Sequence, residues 1–219
     1  MSYYNDPIET ETYRGFTIDI LPDEDPPNPR RDYDPFGTMV CFHRDYDLGD
    51  KGHGYNEGDY TGWAGLHDAI AADHPGAVIL PLALLDHSGI TMTVGARGAF
   101  VMDAAGWDSG QVGWIFATRE QVHETFGDET LTVERIREVL VGEVEQYARY
   151  LEGAGIVYRV TAPNGVTIEG CSGFFDTADA LTEARADVDS HVKWLDHELD
   201  DVRDVTKGIA LVALAGGAS

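Results

Sequence analysis

Residues 132–171, TVERIREVLVGEVEQYARYLEGAGIVYRVTAPNGVTIEGC, carry two periodicities in succession. Over Thr132–Glu152 the apolar residues Val133, Ile136, Leu140, Val144, Tyr147 and Leu151 recur at spacings of three and four, one stripe of a helix. Ile156–Thr161 and Val166–Cys171 then flank Pro163-Asn164-Gly165, and Asn-Gly between strand-like runs predicts a tight hairpin because it accepts positive φ. A helix followed by an antiparallel hairpin predicts an α+β chain: a mixed or antiparallel sheet packed by two or three helices.

The text upstream agrees. Tyr13–Ile20 alternates around Phe16, Ile18 and Ile20 and reads as a first strand. Thr38–His43 reads as a second, and the continuous apolar run Ala77–Leu85 as a central one in which Pro81 marks a bulge or an edge. Ile90–Val94 and Gln111–Thr118 are further strands. Thr61–Asp73, with Trp63, Leu66 and Ile70, is an amphipathic helix, and Thr118 with Gln121 has the spacing of a capping box. Residues 21–36 are dense in Pro and Asp, and 44–59 are polar and Gly-rich, so both are loops. A loop as long as the second is usually functional or mobile.

Downstream, Thr177–Thr206 predicts a long acidic helix with a seam of Leu181, Ala184, Val188, Val192, Leu195, Leu199 and Val202. That near-heptad seam fits packing on the body or a homodimer through a second copy. The expected division is an α+β body over 1–175 and an acidic helix with a small-residue tail over 176–219.

Thirty-nine acids against fifteen bases leave a net charge of −24. Such a chain lacks the basic footprint that direct binding to nucleic acid or to an anionic membrane requires. Three explanations for the acidity remain: an acid-rich or high-salt host, a surface that imitates a polyanion, and cation binding. Cys41 and Cys171 stand alone in strand-like text, so zinc-knuckle and CxxC readings fail and two reduced, buried thiols are expected. The start Met-Ser-Tyr-Tyr-Asn-Asp is neither cationic nor apolar, and no apolar run reaches bilayer length, so a cytoplasmic location is expected.

Candidate chemistry lies in two Gly-terminated motifs, Asp86-His87-Ser88-Gly89 and Trp107-Asp108-Ser109-Gly110, at the ends of predicted strands. Asp86, His87 and Asp108 are the candidate catalytic residues of a metal-assisted hydrolase. The bland reading is that Asp and Ser beside Gly are turn formers. His43, Asp50, Asp86, His87 and Asp108 have the ligand types a divalent cation takes, although their spacing is irregular. No other cofactor is expected, and the balance leans away from an enzyme. On the last helix Asp179, Glu183 and Asp187, and again Asp196, Asp200 and Asp204, fall four apart. Four residues rise about 6 Å, so each series sets carboxylates in a row that a basic partner can read.

The stretches FGTMVCFHRDYDLGD (36–50), LPLALLDHSGIT (80–91), WDSGQVGWIF (107–116), GEVEQYARYLEG (142–153) and CSGFF (171–175) occur in that order. Together they resemble an uncharacterised family of small acidic proteins encoded by bacteriophages, plasmids and integrative elements. The resemblance covers residues 13–175 and implies a mobile-element accessory protein rather than a reaction. The family pattern has Cys-Pro before its Trp-Asp-Ser-Gly; Ala104-Ala105-Gly106 stands there in this chain, which removes a thiol role at that position. The helix from Thr177 onward is an addition to the pattern. The expected function is therefore an accessory protein acting by binding: an anti-restriction or anti-CRISPR-like DNA mimic that inhibits a host DNA-binding or defence protein. The alternatives are the hydrolase and a structural factor whose acidity reflects its host.

Overall fold

A computed structural model describes residues 6–103, 105–127 and 131–216, with side chains of the last helix described as far as Arg203. The chain is α+β: two four-stranded sheets, both antiparallel throughout, and four α-helices. Contacts divide it into two compact units, Met1–Asp23 with Ile156–Ser219, and Glu24–Gly155. The expected boundary at 175/176 is not where the contacts divide it. The long helix belongs to the same unit as the hairpin, because its first turns pack on the buried apolar face of that sheet.

In that unit β1 (Glu9–Tyr13), β2 (Phe16–Pro22), β7 (Ile156–Thr161) and β8 (Thr167–Phe174) lie in the order β1-β2-β7-β8. Phe16, Ile18 and Ile20 alternate with Thr17 and Asp19, and Ile156, Tyr158 and Val160 with the outward-facing Val157 and Arg159; all six are buried. They pack against Ala180, Leu181, Ala184 and Val188 of α4 (Thr177–Gly216). Small residues at 180 and 184 let the helix lie close to the strands. The span read as one strand, Tyr13–Ile20, is instead a hairpin, turned at Arg14 and Gly15 with φ of 52° and 87°. Arginine rarely takes that conformation, so nothing in its type announces the turn. The Pro163-Asn164-Gly165 hairpin is present, with Gly165 at φ 83° and its N–H donated to Ala162 O at 2.8 Å.

In the other unit β3 (Thr38–Cys41), β6 (Ser109–Ala117), β4 (Val78–Asp86) and β5 (Ile90–Val94) lie in the order β3-β6-β4-β5. This sheet is covered on both faces. Leu66 and Ile70 of α1 (Gly62–Asp73) pack with Val40 and Phe116 on one side. Ile136, Leu140, Val144 and Tyr147 of α3 (Val133–Leu151) pack with Met39, Leu80, Leu82 and Ile115 on the other. Double coverage is why β4 reads as an unbroken apolar run. Pro81 sits beside a register shift at Leu82/Ala83, and its carbonyl accepts from Gly95 just past the end of β5 pairing. Its missing N–H therefore falls at the end of that pairing rather than within it. The short helix α2 (Arg119–Phe126) opens with the capping box: Gln121 N donates to Thr118 Oγ1 at 3.1 Å, and the Gln121 side chain accepts from Thr118 N at 2.8 Å.

Candidate functional site

The two Gly-terminated motifs meet because β4 and β6 are neighbours. Leu85 pairs with Ser109, so the end of one strand lies beside the start of the other. Asp86 N donates to Asp108 O at 2.8 Å. His87 Nδ1 lies 2.9 Å from Asp108 Oδ2, a spacing at which a carboxylate orients an imidazole. Asp86 does not join them through its side chain; its carboxylate accepts from the Tyr46 hydroxyl at 3.1 Å and raises the phenol's pKa. The remaining turn is built by Asp103, whose carboxylate accepts from the backbone of Trp107 and Asp108 at 3.0 Å each. A hydrogen bond from the Ser109 side chain, then these backbone donors, hold Asp103 below the ordinary carboxylate range. The His87 and Asp108 side chains are 70% and 47% exposed, so their pairing is largely screened. Beside them Val101, Met102 and Trp107 are almost fully exposed apolar side chains. The sequence reading passed over Val101 and Met102; their apolar character in loop text was the available signal.

The proposed cation ligands do not assemble. Asp50 is committed to Arg30 and to Met39 N, which donates to it at 2.7 Å. His43 accepts from Asp45 N at 3.2 Å and stacks on Tyr46. Among the described residues, no three His, Cys, Asp or Glu side chains gather as a ligand set.

What the sequence reading missed is Arg30. It is the one buried charged residue among the described side chains, 4% exposed. Its guanidinium donates to both oxygens of Asp50, to Glu143 Oε2 at 3.0 Å and to Gly37 O. Glu143 in turn accepts from Phe36 N at 2.6 Å and Gly37 N at 3.0 Å. The node ties both long loops to α3 and satisfies backbone groups that have no ladder partner. A cavity of about 520 Å³ opens beside it, lined by Arg30, Thr38, Asp50, His53 and Gln121. Burial holds His53 below the usual imidazole value. With every carboxylate oxygen of Asp50 and Glu143 engaged, the node holds structure and offers no open acceptor pair.

The carboxylate rows of α4 behave differently from one another. Asp179 and Glu183 are exposed, but Asp187 is half-buried and accepts from the Tyr158 hydroxyl, so the first row is broken. Burial first, and then the Asp187 hydrogen bond, raise the Tyr158 pKa. From Lys193 to Arg203 every residue is exposed, on every face of the helix. Asp196 and Asp200 stand there with Glu198 and Asp201; among the described residues, Arg203 (to Asp200, 3.1 Å) and His197 (to Asp201, 3.4 Å) pair with them within the helix. The Asp204 side chain lies outside the described residues. Compared with protein families, with curated proteins and with solved structures, the chain matches none.

Proposed function

We propose that this chain is a binding protein, a mobile-element accessory factor that occupies a basic, DNA-binding host protein through the acidic exposed part of α4. One observation carries the reading: residues 193–203 form helix with no covered face and four exposed carboxylates, Asp196, Glu198, Asp200 and Asp201. A rigid helix presents charge at a regular rise of about 1.5 Å per residue, which a flexible acidic tail does not. The net charge of −24 gives such a surface a long-range pull on a cationic partner.

The test is capture from host lysate on the immobilised chain at low and high salt, with duplex DNA as competitor. Retained proteins are expected to be DNA-binding, to elute as salt rises, and to be displaced by DNA. Asp200→Asn with Asp201→Asn should weaken retention. Retention that ignores salt, DNA and these substitutions would discard the reading. A second reading rests on the His87–Asp108 pair, an acid–base couple for hydrolysis; it predicts that His87→Asn abolishes an activity while leaving retention intact.

A further inference from the structure

The apolar seam that seats α4 on its sheet does not stop where the sheet does. Leu181 and Val188 are buried against β2 and β7, and Val192 is half-buried. About one, two and three turns after Val192, Leu195, Leu199 and Val202 continue the same stripe and are 38%, 54% and 60% exposed. Helices in proteins draw most of their stability from packing of an apolar face, and this Leu/Val stripe stands exposed to water. Something must cover it.

We propose that a second copy of this chain covers it, through a parallel two-stranded coiled coil formed by α4 from Val192 onward. The period is a true heptad: Val188, Leu195 and Val202 fall at d, Val192 and Leu199 at a. The sequence keeps it at Thr206, Ile209 and Ala213, within a helix that runs to Gly216. That makes more than three heptads, the length at which such a pattern specifies a coil.

The flanking charges select the occupant and its direction. In a parallel pair each g residue faces the e residue five positions later in the other copy. Here Glu198 at g meets Arg203 at e, so the flanking contact joins opposite charges. Arg203 already leans on Asp200 of its own helix at 3.1 Å, but at 69% exposure it can turn to the other copy. The surplus acids fall elsewhere: Asp200 and Asp201 take b and c, pointing away from the seam. The dimer therefore leaves Asp200 and Asp201 of the acidic surface outward, and the inference stands independently of the host-partner reading.

Sedimentation of the full chain over a wide concentration range tests it. The expected mass at the upper end is about twice the 23.9 kDa of one chain. Leu199→Asp should weaken association on the order of a hundredfold by placing a charge in the seam, with the fold checked by near-ultraviolet circular dichroism. Glu198→Arg and Arg203→Glu should each weaken it several-fold, and the two together should restore it. In a Cys171→Ser background, Leu199→Cys should cross-link under mild oxidation, because only a parallel, in-register pair brings the two 199 positions together. Added salt should tighten the dimer by screening the repulsion of two chains of −24, the opposite sign from host-partner capture. A monomer at all concentrations, a dimer indifferent to Leu199→Asp, or a dimer without the cross-link overturns the proposal; a monomer would leave the seam to a different protein.

Discussion

The guanidinium of Arg30 meets the carboxylate of Asp50 in two parallel hydrogen bonds, Nε to Oδ1 at 2.8 Å and Nη2 to Oδ2 at 2.7 Å. Asp50 and Glu143 are 15% and 16% exposed, so removing the cation strands two carboxylates with little water to replace it. Arg30→Met is expected to lower stability by about 3 kcal/mol or more. Arg31→Met, which loses a solvent-exposed ion pair with the Asp47 carboxylate and a hydrogen bond to the Asp47 carbonyl, should change it by about 1 kcal/mol or less. Urea unfolding of both variants checks this through the midpoint at unchanged slope.

Two glycines should respond to alanine with opposite sign. A Cβ on Gly113 would stand 2.0 Å from Val40 O, where β6 runs against β3, and the backbone must move to admit it. Gly113→Ala is expected to cost about 1–3 kcal/mol. Gly142 is in the interior of α3 with open space around it, and Gly142→Ala should add about 0.5–1 kcal/mol by favouring the helix. Thermal melts rank the pair.

The two thiols should separate cleanly. Burial, aided by the Asp50 charge, pushes the Cys41 thiol up to about 12, so it stays protonated and shielded near neutral pH. Cys171 is exposed on β8, contrary to the expectation of two buried thiols, because that strand's outer face is uncovered. A maleimide should label one thiol in the native protein and both in denaturant, and Cys171→Ser should abolish the native label.

The contact of α4 with β1 should weaken in acid. Arg185 donates to Glu11, with Nε–Oε1 at 2.9 Å, and this hydrogen bond holds the Glu11 carboxyl below its ordinary value. A depressed carboxylate pKa contributes stability that is fully present above the unfolded value of about 4.3 and is lost as pH falls through the lower folded value. Glu11→Gln should therefore lower stability at pH 7 and leave it nearly unchanged in strong acid. Unfolding at a series of pH values reads the difference. Equal losses at both ends would show that the contact is one of packing.

The local elements were largely legible in the text. The stripe of α3, the capping box of α2, the Pro-Asn-Gly hairpin and the apolar run of β4 each follow from neighbours a few residues apart. The hairpin at Arg14-Gly15 was not, because its turn residue is held by distant partners: Arg14 pairs with Asp189 at 2.9 Å. Strand adjacency also decided the candidate site. His87 and Asp108 meet across β4 and β6, but the side chains of Asp86 and Asp50 are claimed by Tyr46 and Arg30.

By itself, the sequence determined the α+β class, the element types and the heptad of the last helix, since each is a periodicity written into local spacing. Tertiary structure alone decided that the sheet is two sheets, that Arg30 joins residues 20 and 113 positions away, and that Asp187 turns inward to Tyr158. It also decided that the seam of α4 is buried to Val188 and exposed from Leu195 to Val202. Burial depends on which surfaces remain to be filled after long-range pairing, and no local pattern contains that information.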